Sequence, residues 1–229
     1  MNTSPVSARL SITSTCVLCI LGAMCVVPLA GCASQRIAIA EALGTPKREQ
    51  LVSHVEKARN AQEDAKEQFA DALEEFKALT GYSGGDLEAV YNKLKKEYER
   101  SQDRAEAVTD RINMVELVSS KLFKEWETEL DEYSNQDLRR SSEQQLYDTK
   151  AKYTQMVSKM KQAESKMQPV LTTLGDQVLF LKHNLNARSI ASLQSTVVSL
   201  ETEVETLIRD MEASIAEANT FINEMSDSE

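Results

Sequence analysis

From Thr45 onward, apolar residues recur at alternating steps of three and four, the spacing that keeps one stripe on a single helix face. One run reads Leu51, Val55, Ala58, Gln62, Ala65, Phe69, Ala72, Phe76, Leu79. A second reads Tyr91, Leu94, Tyr98, Ser101, Ala105, Val108, Ile112, Val115, Ser119, Leu122, Trp126, with Leu130 continuing it. Both hold a heptad phase without a slip, which favours shallow crossing angles and supercoiled packing. A third run, Met160, Ala163, Met167, Val170, Leu174, Val178, Leu181, Leu185, passes through Pro169 unbroken. Beyond Leu185 a new register starts at Ile190 and continues through Leu193, Val197, Leu200, Val204, Leu207 and Met211.

Turn signals divide these runs. Gly81, Gly84 and Gly85 precede Asp86, so that Gly81 suits a helix C-cap and Asp86 an N-cap. Ser134 stands three residues before Asp137 in a capping-box spacing. Pro46 is a first-turn proline after a Thr45 cap. Pro169 would normally end a helix, at a cost of about 3 kcal/mol in its interior. Because the apolar phase crosses it, the reading is a kink there and a turn near Asn184 to Ala187; a boundary at Gln168 and Pro169 is the rival.

The fold class read from this pattern is all-α: an elongated antiparallel up-down bundle of about four long coiled-coil helices. They span about residues 46–80, 87–133, 137–185 and 188–225. At 1.5 Å per residue the longest extends ~70 Å.

Residues 1–31 differ in kind. A short polar start carries Arg9, and an apolar stretch follows from about Leu10 to Leu29, as in a secretory signal. An uncleaved membrane anchor is the other reading, since about twenty apolar residues span a bilayer. Ser11, Thr13, Ser14, Thr15 and Pro28 interrupt the stretch, however, and it closes on Leu29, Ala30, Gly31, Cys32. That ending resembles the lipobox of bacterial lipoproteins. The resemblance implies that residues 1–31 are removed as a signal peptide and that Cys32 carries the lipid. Residues 32–45 then form the lipidated N-terminus and a tether, with Ser34 to Leu43 either a short amphipathic helix or flexible, ahead of the bundle at 46–229. An aspartate after the lipidated cysteine favours retention at the inner membrane of Gram-negative cells. Here Ala33 takes that place, so the implied location is the periplasmic face of the outer membrane.

A second resemblance covers nearly the whole chain after Cys32. The run Asp176, Gln177, Val178, Leu179, Phe180, Leu181, Lys182, His183, Asn184, Leu185, Asn186, Ala187, Arg188 resembles the most distinctive segment of an uncharacterised bacterial lipoprotein family, known only as a domain of unknown function. Lys47 and Arg48 with Val55, Glu56, Lys57, Ala58, then Gly84 to Leu87, Leu122 and Phe123 with Glu125 and Trp126, and Leu138 to Ser142 look like the same family. Ile37, Ala38, Ile39 and Ala40 depart from it, standing where an aromatic-bearing segment belongs. The match implies fold and lipidation and transfers no catalytic residue.

Composition narrows the function. All four cysteines lie at or before Cys32, so after cleavage and thioether formation no disulfide forms and packing alone must stabilise the fold. Arg9 is the only charge in residues 1–31, leaving 25 basic and 36 acidic side chains and a net charge of −11. That sign argues against binding nucleic acid or anionic headgroups through general electrostatics. Heptads resemble those of chromosome-maintenance and DNA-repair ATPases, but the phosphate-binding loop is absent: Gly84 and Gly85 lead into Asp86, not a lysine.

Candidate chemistry is sparse. Two histidines, His54 and His183, fall near opposite ends of an up-down bundle and offer no metal site. Carboxylate pairs such as Glu74 with Glu75 or Glu125 with Glu129 have the spacing of solvated helix surface. Met156, Met160, Met167, Met211 and Met225 suit core packing better than an adaptable binding face. Phe123, Trp126 and Tyr133 read as an aromatic plug near the anchor-side end. The sharpest candidate contact is the polar turn Lys182, His183, Asn184, Asn186 and Arg188, which either binds a partner or ligand or simply caps helix ends. The expectation is a lipid-anchored envelope protein with a structural or adaptor role, no catalysis and no cofactor. Its partners would be the membrane through the lipid, an envelope protein or a second copy of itself, and no nucleic acid. The alternative is a ligand-binding or enzymatic envelope protein using the Lys182 to Arg188 turn.

Overall fold

A computed structural model describes residues 37, 46–81 and 86–226. The expected signal segment, Cys32, the expected Thr45 cap and the Gly84–Gly85 turn lie outside the described residues, as does the expected tether apart from Ile37. Ile37 is helical and buried among the core residues.

From residue 46 on, the described residues form four long helices and one short one: α1 Lys47–Thr80, α2 Leu87–Glu129, α3 Gln136–His183, α4 Ala187–Ser192 and α5 Gln194–Ser226. A 3₁₀ turn, Leu130–Glu132, follows α2. No strand occurs among the described residues. The first helix starts after Pro46, which stands at the N-cap and not in the first turn and makes no side-chain cap bond, whereas α2 and α3 start on side-chain caps. Asp86 accepts from the backbone N–H of Glu88 and Ala89 at 2.9 and 3.2 Å, and Asn135, not Ser134, does the same for Asp137 and Leu138. Gly81 closes α1 with its N–H on the Lys77 carbonyl at 3.1 Å.

The third helix runs through Pro169. A proline at that position leaves the Ser165 carbonyl without its intrahelical donor. Pro169 itself is exposed, whereas Met167, Val170 and Leu171 beside it are buried, so packing on the opposite face holds the helix together.

The fourth long run is divided. Leu193 separates α4 from α5, its N–H reaching the Ile190 carbonyl at 3.0 Å in a tightened turn. The Ser192 hydroxyl bonds the Ser189 carbonyl at 2.6 Å, so local side-chain bonding competes with the helix ladder there.

The long helices form a closed ring in which α1 and α3 each pack on α2 and α5. One antiparallel register holds along every seam. Lys47–Glu125 at 2.7 Å, Arg104–Asp64 at 2.9 Å and Lys93–Glu75 at 3.4 Å step down α1 and α2. Arg59 with Asn219 at 2.9 Å and Lys77 with Glu201 at 2.7 Å do so for α1 and α5. Lys152–Glu224 and Thr173–Glu203 join α3 to α5, while Lys150–Glu127 and Lys161–Glu116 join α2 to α3. Most of these side chains are more than a third open to water and the pairs contribute little stability each, though Lys47 and Glu75 are largely covered; together they fix which residues face one another. The energy comes from the stripe: Leu51, Val55, Phe69, Phe76, Leu94, Ile112, Met160, Leu174, Leu200 and Leu207 are all sealed from solvent.

Because α2 and α3 are longer than α1 and α5, their hairpin projects past the Lys47 end of the bundle. Inside it the Trp126 indole N–H donates to the Ser142 hydroxyl at 2.8 Å, and Phe123 meets Tyr153 edge to face with centroids 5.2 Å apart. Tyr133 is exposed and stands apart, so the aromatic cluster is built from Tyr153 in its place. The heptad phase of α2 alone does not show that Tyr153 arrives from the neighbouring helix.

Candidate functional site

Two places concentrate polar side chains where helices end or part. The first is the turn from α3 into α4. Asn184 ends α3, its side-chain amide donating to the Phe180 carbonyl at 3.0 Å and its backbone N–H to the Leu181 carbonyl at 3.2 Å. Asn186 starts α4, its side-chain oxygen accepting from the Ser189 N–H at 3.0 Å. Both asparagines therefore satisfy backbone groups that the helix ends leave open. Lys182, His183 and Arg188 are exposed around them. The five residues share a turn: Lys182 borders the space between α3 and α2, while Asn184 and Asn186 are held by backbone groups.

The second place is an open groove of about 1180 Å³ between α2 and α3. Residues from Tyr91 to Thr109 form one wall and from Lys161 to Lys182 the other. Its floor includes the buried Ala105, Met167 and Leu171. Tyr98 crosses it so closely that a Cβ on residue 175 would stand 2.7 Å from the tyrosine hydroxyl oxygen and 3.0 Å from the ring. Gly175 thus sits in a helix interior, at about 1 kcal/mol against alanine, because the neighbouring ring occupies the space. Leu179, 60% exposed, stands on the lip. Sequence reasoning missed this groove: Tyr91 and Tyr98 read as seam residues, and only the pairing of α2 with α3 shows that they border an opening.

Electrostatics follow the helix seams. Hydrogen bonding to Glu116 raises the Lys161 ammonium above its ordinary value despite opposing desolvation, and Glu63 and Glu201 do the same for Lys66 and Lys77. At Glu97 burial works upward, but hydrogen bonds from Gln68 and Arg100 outweigh it and hold the carboxyl below its usual range. Burial raises the Tyr153 phenol against a hydrogen bond with Ser119. Each of these groups is explained by a partner on its own or the adjacent helix. Among the described residues no three His, Cys, Asp or Glu side chains gather as a metal site would need, and no helix is long and apolar enough to cross a membrane.

The family model described as protein of unknown function, DUF2959, matches residues 37–225. The chain belongs to that family. The DUF2959 match begins at Ile37, which is buried in the core, and ends at Met225, whose carbonyl takes the Arg48 guanidinium at 2.5 Å, so it spans the whole bundle. No curated protein and no solved structure matches the chain. Nothing in the geometry or in the family positively indicates catalysis.

Proposed function

We propose that this protein is a lipid-anchored rod of the bacterial cell envelope that spaces or holds envelope components and catalyses no reaction. The observation that carries the reading is the single antiparallel register of α1, α2, α3 and α5, which makes a stiff body whose longest helix runs ~70 Å. A body of that form separates or connects what its ends hold, and its perturbed titratable groups are accounted for by partners within or between helices. Cys32, at the end of a run resembling a lipobox, supplies the anchor in this reading. Several acyl chains, at about 0.8 kcal/mol per buried methylene, would hold the protein durably. Ala33 after the cysteine supports placement at the periplasmic face of the outer membrane.

Intact-mass spectrometry of the protein from its native host tests the anchor: the expected species begins at Cys32 and carries acyl chains, and a polypeptide that keeps residues 1–31 without added fat overturns it. Rescue of a deletion strain tests the absence of a ligand site in the Lys182 to Arg188 turn. A chain with His183→Ala, Asn184→Ala and Asn186→Ala, at normal abundance, should rescue fully; loss of rescue would assign the turn a binding role.

A further inference from the structure

The α2–α3 groove carries charge of opposite sign on either side of its middle. Tyr98 opposite Gly175 marks the middle level. Toward the α4 end lie Lys95 on α2 and Lys182 on α3; toward the other end lie Glu106 and Glu164. Lys161 also borders the glutamate end, but Glu116 holds its ammonium at 2.5 Å. Asp176 sits next to the middle level and adds no difference between the ends. Among the described residues Lys95 pairs with Glu99, at 3.5 Å with both side chains about half exposed, a pairing worth little in water. On each wall a cation and an anion therefore straddle the middle, ~16 Å apart on α2 and ~27 Å apart on α3 at 1.5 Å per residue.

We propose that a second copy of this chain occupies the groove, docked groove to groove about a two-fold axis perpendicular to the helices. That axis sets each wall against its own copy, antiparallel. Lys95 then faces Glu106 of the second copy, Lys182 faces Glu164, and symmetry repeats both pairs. A two-fold axis along the rod would instead lay α2 of one copy against α3 of the other with the two copies pointing the same way, so that residues at one level meet. Lys95 would meet Lys182, and Glu106 would meet Glu164. The same four residues thus favour one axis and penalise the other.

Apolar surface accompanies the charges: Leu179 on the lip and the half-buried Tyr91 and Tyr98 would be covered. The Ser165 carbonyl, deprived of a helical donor by Pro169, adds an acceptor along the same wall. The dimer does not depend on the lipid anchor. Together with the anchor proposed above, it would overlap two rods by their anchor-distal halves and turn their lipids outward, so that a pair could join two facing membranes.

Disulfide crosslinking of the full chain in its host tests the arrangement, with the native chain as the control for its own cysteines. Thr172 lies close to the proposed axis, so Thr172→Cys should give a covalent homodimer, whereas Leu179→Cys, displaced from the axis, should not. Adding Lys95→Glu and Lys182→Glu should cut the Thr172→Cys dimer at least tenfold, and adding Glu106→Lys and Glu164→Lys as well should restore it. The proposal fails if Thr172→Cys gives no dimer or links instead to a different protein, if Leu179→Cys dimerises equally, or if the four-charge exchange does not restore the yield. A stronger dimer from Lys182→Glu alone would mark the axis along the rod and also overturn it.

Discussion

In the centre of the bundle the Ser214 hydroxyl donates to the Gln62 side-chain oxygen at 2.8 Å, with both residues sealed from solvent. The Gln62 amide in turn reaches the Met160 carbonyl at 3.4 Å, so one glutamine on α1 touches both α5 and α3. A polar group in a dry core is costly when it lacks a partner and close to neutral when it has one. Ser214→Ala should therefore destabilise the fold by about 1–3 kcal/mol, the range for orphaning a buried acceptor. The double variant Gln62→Leu with Ser214→Ala should lose less than the serine change alone. Urea unfolding of the native protein, the two single variants and the double variant checks this, and additive losses would show that the two side chains are not coupled.

The close approach of Tyr98 to Gly175 makes a different forecast. Alanine in place of a mid-helix glycine usually stabilises by about 1 kcal/mol. Here the new methyl meets the tyrosine ring, so Gly175→Ala should give little gain or a loss. In a Tyr98→Ala background the usual gain should reappear. A double-mutant cycle by thermal unfolding measures the difference.

Glu97 links α2 to Gln68 on α1 through a 2.8 Å hydrogen bond, and its carboxyl is held below the usual range in the fold. The unfolded chain therefore binds more protons at this site, so its contribution is fully present above the unfolded pKa of about 4.3 and is lost as pH falls through the lower folded value. Glu97→Gln should melt below the native protein at pH 7, and the gap should narrow steadily toward pH 3. A gap that stays constant across that range would remove Glu97 from the acid response.

At the α3–α4 turn the capping bonds are local. Asn186→Ala removes the acceptor for the Ser189 N–H, at about 1 kcal/mol for a typical N-cap. Hydrogen exchange should quicken at Ser189 and its neighbours in α4, while the amides of α1 around Phe69 keep their protection. Spread of the faster exchange into α1 would mean the turn supports the bundle as a whole.

Much of the fold was legible along the chain because heptad phase reports a buried face directly. All nine seam positions of the first helix, the polar Gln62 among them, are buried, as are Ser101 and Ser119 in the second. Asp86 was legible as a cap because a side-chain oxygen there serves amides only two and three residues ahead. Phase also carried α3 across Pro169, since burial of Val170 and Leu171 on the far face outweighs one missing hydrogen bond.

What the chain determined alone was local: helix type and which stripe of each helix avoids water. Tertiary packing decided which stripes meet. Four amphipathic helices can be arranged in a ring in more than one way, and periodicity is the same in each, so only the packed structure brings Tyr153 to Phe123, Ser214 to Gln62 and Tyr98 to Gly175. The groove belongs to that second class. It exists because α2 and α3, each with an intact seam, part along Tyr91 to Thr109, and a gap between two helices leaves no mark on the period of either one.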